Sequence, residues 1–329
     1  MKELVIEKVS NGEKLITIAN RCGMRVTFST LGAGLFSLSY AGKSMLSHPA
    51  SYEDYAYSKS YYGKTVGPIA GRVPQGKYEA GGKAYQLPLN ENGNCLHSAS
   101  LCYAFCHFDY EIEEKEDRID ARFFASFPSS EGAFPADVDV EVTYSLSLDE
   151  PLLTLKMKAT PNEDCPLNIT NHSYFNLGGE KNLYGDLLCL KQGDVARYSS
   201  SALLLDRFAP PSKELDFSSP KAIGEGVDSP SLLPVTGYDH CFLLSSSPGP
   251  KAVLENASYR LEIDTDADGL QIYSTNFPIE GQPMQSGYPD ERASGITFEP
   301  VSRMDKSLIS PKGEAWKRTI SYRFIKKGN

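Results

Sequence analysis

Apolar residues recur at every second position along most of this chain, and a period of two belongs to β-strands that turn one face to a core. Lys14–Ala19 and Met24–Ser29 open the pattern. Residues 77–87, KYEAGGKAYQL, read as two alternating arms around Gly81 and Gly82, a hairpin signature because glycine accepts the positive φ of a tight turn. A second hairpin follows: Phe108, Tyr110 and Ile112 alternate up to a charged EKED turn, and Ile119, Ala121 and Phe123 alternate away from it. Val138, Val140, Val142, Tyr144 and Leu146 share a strand face, Asp149, Glu150 and Pro151 make a turn, and Leu153, Leu155 and Met157 return. Tyr259, Leu261 and Ile263 alternate, as do Ile320, Tyr322 and Phe324. The 19 tyrosines and 15 phenylalanines suit pleated, half-buried surfaces. The expected fold class is all-β. The chain has 329 residues, the Pro- and Gly-rich stretches at 209–212 and 245–250 are too short for interdomain linkers, and no repeat is visible. One domain over residues 1–329 is therefore expected.

The formal net charge is -9, with lysine and arginine scattered, so no basic face addresses nucleic acid or anionic lipid. No apolar run is long enough to span a bilayer, and the start, MKELVIEKVS, lacks the apolar core of a signal peptide. A cytoplasmic protein acting on a neutral small molecule is the expectation. The seven cysteines, an odd number, then read as buried thiols and not as a disulfide framework.

Gly224-Glu225-Gly226 lacks the third glycine of a dinucleotide fingerprint, and no Gly-Lys-Ser/Thr exists. Cys95, His97, Cys102, Cys106 and His107 crowd into thirteen residues, but neither C-x₂-C nor H-x₃₋₅-H spacing occurs among them, so no metal site is expected. Five polar segments break the strand pattern instead: GPIAGRV with Arg72, NGNCLHSAS with Asn94 and His97, NITNHSYFNLGG with His172 and Asn176, GYDHCFLL with Asp239, and ADGLQIYSTN with a later GITFEPV, which carry Gln271 and Glu299. Singly, each suits a satisfied core histidine, a turn cap or a strand end. Glu299 is the sharpest, because Ile296, Phe298 and Pro300 place it in a buried strand, where an unpaired carboxylate is costly. His172 stands among Asn171, Ser173, Tyr174 and Asn176, side chains suited to binding hydroxyl groups.

On these residues the chain resembles the aldose 1-epimerase (galactose mutarotase) family. The 77–87 hairpin is similar to the family's G-K-x-x-x-x-G-K-x-Y-x-L, and residues 168–179 match N-x-T-N-H-S-Y-F-N-L-x-G. N-x-L-H lies at 94–97 and G-Y-D-H at 237–240, and the anchors run nearly full length in the family's order. The resemblance implies a large antiparallel β-sandwich of the galactose mutarotase type and an enzyme without cofactor, monomeric or homodimeric, that interconverts the α and β anomers of a free aldose such as galactose or glucose. It further implies Glu299 as the base at the C1 hydroxyl, His172 as the acid at the ring oxygen, and His97 beside that oxygen. Arg72, Asp239, Gln271 and Asn94 would bind sugar hydroxyls.

The chain departs from the family at three places. Gly67-Pro68-Ile69-Ala70-Gly71-Arg72 stands where G-R-x-A-N-R is usual, Leu96-His97-Ser98-Ala99 replaces L-H-G-G, and Val301-Ser302-Arg303-Met304-Asp305 follows Glu299. These positions surround the sugar and leave its identity open. Arg303 and Lys306 allow a phosphate contact, though exposed charge after a strand also explains them. Two rival functions are weighed: a glycoside hydrolase using Asp239 and Glu299 as a carboxylate pair, and a sugar-binding module without turnover. Neither requires histidines beside the carboxylate.

Overall fold

The computed structural model describes residues 3–199, 204–303 and 307–328. Among these, the strands form antiparallel sheets of nine, six and five strands, with four two-stranded ribbons beside them. The hairpins legible in the sequence form locally. Lys77–Ala80 pairs with Lys83–Gln86 around Gly81 and Gly82, at φ 54° and 72°. Asp109–Glu114 pairs with Arg118–Phe127, and Val138–Ser147 with Leu152–Pro161, where Val142 lies opposite Met157 and Tyr144 opposite Leu155.

The two parts of the nine-stranded sheet are joined by a pairing of long range. Trp316–Lys326 runs between Leu152–Pro161 and Tyr259–Thr265, placing Tyr322 opposite both Leu153 and Ile263. The inward residues of this sheet make the sandwich's core, and the two smaller sheets pack on it at different places. Phe28 of the five-stranded sheet stacks on Tyr144 at 4.5 Å and meets Phe123 edge-on at 5.9 Å. Phe175 of the six-stranded sheet lies 5.0 Å from Tyr322. Such offset and edge-on ring pairs add to the stabilisation from the burial itself.

The six-stranded sheet carries the chemistry. Its order is Tyr174–Phe175, Ile296–Val301, Gly269–Tyr273, Asp239–Leu244, Gln192–Tyr198, Leu205–Ala209. Alternation divides its strands: Ile296, Phe298, Leu270, Ile272 and Phe242 enter the core, while Glu299, Val301, Gln271 and Tyr273 turn the other way, into a cleft.

Loops over the sheet are tied to the core by buried polar bonds. The Tyr144 hydroxyl donates to the Ala33 carbonyl at 2.8 Å and accepts from the Asn171 amide at 3.2 Å, with the side chain fully buried. Tyr144→Phe would leave both partners short of a bond in a dry interior. It is expected to cost about 1–3 kcal/mol, seen as a lower urea midpoint with an unchanged denaturant slope.

Candidate active site

The cleft holds about 1440 Å³ and is lined by Arg72, His97, His172, Asp239, Gln271 and Glu299, among others. Six of the seven residues to which the resemblance gives a role therefore share one wall-to-floor surface. Three come from the six-stranded sheet. Gln271 lies directly opposite Glu299 on neighbouring strands, and Asp239 begins the next strand, opposite Tyr273. Gln271 Nε2 donates to Asp239 Oδ1 at 2.6 Å.

His172 is held by backbone on both sides. It follows the short strand Thr170–Asn171, which pairs with Thr65–Val66, and its N–H donates to the Lys64 carbonyl at 3.0 Å while its own carbonyl accepts from Gly63 N–H at 2.9 Å. This aims the imidazole at the sheet: His172 Nε2 lies 3.4 Å from Glu299 Oε1, with only 7% and 3% of the two side chains exposed. Thr297, two residues earlier on the same strand face, donates to Glu299 Oε1 at 2.8 Å.

Arg72 and His97 arrive on a ribbon in which Leu96 pairs with Arg72. His97 N–H donates to the Gly71 carbonyl at 3.0 Å, and Gly71 N–H donates back to His97 Nδ1 at 3.2 Å. An accepting Nδ1 puts the ring proton on Nε2 and makes that nitrogen a donor. The His97 and His172 rings meet edge-on at 5.6 Å, and Tyr61 packs on both. Arg72 spans two carboxylates: its guanidinium donates to Glu91 at 2.6 and 3.0 Å and to Asp239 Oδ2 at 3.4 Å.

Asn94 does not line the cleft. It is buried beneath the turn that carries Glu91, where its Oδ1 accepts from Gln75 N–H at 3.0 Å and its N–H donates to the Glu91 carbonyl at 2.7 Å. Arg303 does line it, with its guanidinium 5.6 Å from the Phe208 ring; Met304, Asp305 and Lys306 lie outside the described residues. Sequence reasoning missed Glu91, Tyr61 and Thr297. Thr297 was within reach, since a period of two from Glu299 puts it on the same face. Glu91 sits in a polar turn that carries no pattern.

Burial governs the protonation of the site. It pushes the Glu299 carboxyl up to about 8, with the Asp239 charge adding to the shift and the Thr297 bond and Arg72 opposing it. It lowers His172 to about 4. His97 falls well below its ordinary range, through burial first and then the neighbouring His172 and Arg72. Burial alone would lower Arg72 too, but the Asp239 charge and the Glu91 contact outweigh it and hold the guanidinium firmly protonated. At neutral pH the Glu299–His172 pair thus carries one proton, on the carboxyl, and both side chains are uncharged.

The departures at residues 67–72 and 96–99 meet in one structural device. His97, Ser98 and Ala99 have φ of 52°, 62° and 51°, a left-handed run that β-carbons disfavour. Ser98 is fully buried, and its Oγ accepts from Ile69 N–H at 2.9 Å and donates to the Ile69 carbonyl at 3.2 Å. One replaced segment clamps the other and holds His97 in place.

Comparisons with known proteins identify the family. Residues 14–323 match the family described as Aldose 1-epimerase. Galactose mutarotase of Mus musculus is 29% identical over 291 residues, 84% of this chain and 82% of that protein. Aldose 1-epimerase of Escherichia coli K12 is 28% identical and aligned over 95% of each chain. The crystal structure of galactose 1-epimerase from Lactobacillus acidophilus NCFM superposes with a TM-score of 0.90 at 26% identity, covering 100% of this chain and 99% of that one. The fold is thus a galactose mutarotase-like β-sandwich. The chain belongs to the aldose 1-epimerase family.

Three stability predictions follow from the site. Glu299 ionises near 4.5 when unfolded and near 8 when folded, so the protein loses stability as pH rises across that interval. Glu299→Gln is expected to escape this loss and to exceed wild type by a few kcal/mol at pH 9, with a smaller difference at pH 5, as measured by urea unfolding at the two pH values. Ala99→Gly is expected to stabilise by about 1 kcal/mol by relieving the left-handed strain, whereas Ser98→Ala loses about 1–3 kcal/mol because Ile69 N–H is left unsatisfied; the same titrations at neutral pH read both.

Proposed function

We propose that this protein is an aldose 1-epimerase that interconverts the α and β anomers of a free aldose such as galactose or glucose. The observation that carries the reading is the buried carboxyl–imidazole pair, Glu299 and His172, 3.4 Å apart in a cleft lined with hydrogen-bonding groups. The family membership and the names of the relatives support it.

Opening a hemiacetal ring needs a base at the C1 hydroxyl and an acid at the ring oxygen. Glu299 takes the C1 hydroxyl proton and His172 delivers one to the ring oxygen as the bond between C1 and that oxygen breaks and C1 becomes a carbonyl. The C1–C2 bond rotates. The freed hydroxyl then attacks the other face of the carbonyl, His172 recovers its proton, and Glu299 returns a proton to the oxygen on C1. The pair holds one proton throughout, passing from imidazolium and carboxylate to imidazole and carboxylic acid and back. The free protein rests in the second of these states, the one that matches the open-chain sugar.

His97 donates from Nε2 toward the ring oxygen. Arg72, Asp239 and Gln271 hold hydroxyl groups and orient the ring, while Asn94 supports the turn whose Glu91 fixes the Arg72 fork. Both Asp239 oxygens are engaged, by Gln271 and by Arg72, which suits a binding group better than the second carboxylate of a hydrolase. A binding module would have no use for a single-proton pair at its floor.

The test follows optical rotation of freshly dissolved α-D-galactose and α-D-glucose with wild type, Glu299→Gln and a protein-free blank. Wild type is expected to speed equilibration, and the variant to lose at least about 10²-fold in kcat. A wild type no faster than the blank on any aldose would refute the reading. The rate as a function of pH adds a second expectation. kcat/KM should be level between about 4, where His172 gains a second proton, and about 8, where Glu299 loses the only one, and should fall on both sides.

A further inference from the structure

The acid of the proposed reaction lacks the support that usually aims one. A working imidazole is normally fixed by a hydrogen bond at the nitrogen that does not face the reacting atoms. His97 has such a bond, from Gly71 N–H to Nδ1 at 3.2 Å. His172 turns Nε2 to Glu299, yet its Nδ1 is buried and, among the described residues, no other residue bonds it. The backbone bonds to residues 63 and 64 hold its main chain, but they leave the ring free to turn about its side-chain torsions.

Aromatic packing stands where that hydrogen bond would be. Tyr174 at 5.2 Å, His97 at 5.6 Å, Tyr61 at 5.8 Å and Tyr273 at 6.4 Å surround the His172 ring. Of the three tyrosines, only Tyr61 also packs on His97, at 5.0 Å, among the described residues. It thereby ties the unanchored imidazole to the anchored one. Tyr61 rests in turn on Phe105 at 5.5 Å, and the buried Lys64 ammonium lies over that ring at 4.6 Å while donating to the Ala56 carbonyl at 2.9 Å.

The backbone is strained to make this placement. Tyr61 has a φ of 55°, in the left-handed region that a residue with a large side chain rarely enters. Lys64 N–H donates to the Tyr61 carbonyl at 2.9 Å, and the same turn bonds the His172 main chain through Gly63 N–H and the Lys64 carbonyl. One turn thus holds both the backbone of His172 and, through Tyr61, its ring. Strain of this kind persists only where the surrounding structure imposes it, and it gathers at sites that position a group.

We infer that Tyr61 is a positioning residue for the acid–base pair: its ring fixes the His172 imidazole against that of His97 and keeps the water of the cleft from both. The inference rests on the proposed function and adds to it a residue outside the reacting pair. Tyr61 is half-buried and lines the cleft, and burial is the largest cause of the lowered basicity of both histidines. The other titratable groups facing His172 are Glu299, Tyr174 and Tyr273 of the six-stranded sheet and His97 of the ribbon, with Arg72 acting on His97. Removing the Tyr61 ring leaves all of these in place and changes the packing and the access of water.

The experiment follows mutarotation of galactose and glucose across pH for wild type, Tyr61→Phe and Tyr61→Ala. Tyr61→Ala is expected to lose about 10- to 100-fold in kcat with KM little changed, because a loosely aimed proton donor is costly in rate. The acid limb of kcat/KM should move up from about 4 by about one unit toward the ordinary 6.5. Tyr61→Phe keeps the ring and should bring both readings back close to wild type. A ring that only stabilised the fold would move neither reading in the folded variant. An unchanged kcat or an unmoved acid limb in Tyr61→Ala, or a Tyr61→Phe as impaired as Tyr61→Ala, would overturn the inference. Should Tyr61→Ala fold poorly, Tyr61→Gly removes the ring without the left-handed penalty and is read in the same way. Should wild type turn over no aldose, the proposed function fails and the histidine ring-proton resonances decide the role of Tyr61 separately. His172 and His97 titrating higher without the ring would sustain it; identical titrations would end it.

Discussion

The constraint on which this molecule turns is a carboxyl group buried on a central strand beside an imidazole. Glu299 shows 3% of its side chain and His172 shows 7%, and neither is repaid by a full ion pair. Burial raises the pKa of the carboxyl and lowers that of the imidazole until, at neutral pH, the pair holds one proton, on Glu299. A protein selected for stability alone would replace such a pair with apolar side chains. The six-stranded sheet tolerates it because the other face of the same strands is packed with Ile296, Phe298, Leu270 and Ile272.

The same division explains how a sandwich can host acid–base chemistry on strands and not only on loops. A strand gives alternate residues to opposite faces, so one run of sequence supplies core and catalyst together. The loops then need only bring Arg72, His97 and His172 over the sheet. They do so with backbone bonds to Gly71, Lys64 and Gly63, and with a left-handed run at residues 97–99 that Ser98 clamps to Ile69. Strain at such a point is a mark of a site that positions a group at the expense of stability.

Local pairing was legible in the sequence because a hairpin writes its turn and both arms within a short stretch. The arms around Gly81 and Gly82 and those flanking residues 149–151 are of this kind. The position of the last strand was not, since nothing in the alternation of Ile320, Tyr322 and Phe324 says that it runs between strands that begin at Leu152 and Tyr259. The site divides in the same way. Glu299 and His172 announce themselves by polarity out of place, and the family resemblance ordered the remaining anchors along the chain. Asn94 was read as facing the sugar, but the structure puts it beneath the Glu91 turn, because a polar residue in a motif looks the same whether it faces ligand or scaffold. Glu91 itself, the closest partner of Arg72, has no local signature and becomes visible only when the turn is folded against the arginine.

The central claim is that the pair holds one proton on Glu299 at neutral pH, and the direct measurement is infrared difference spectroscopy of wild type against Glu299→Gln across pH. A carboxylic acid carbonyl band assigned to Glu299 should be present at pH 7 and titrate away near 8. A carboxylate band for Glu299 throughout pH 5 to about 9, with no acid band, would contradict the account.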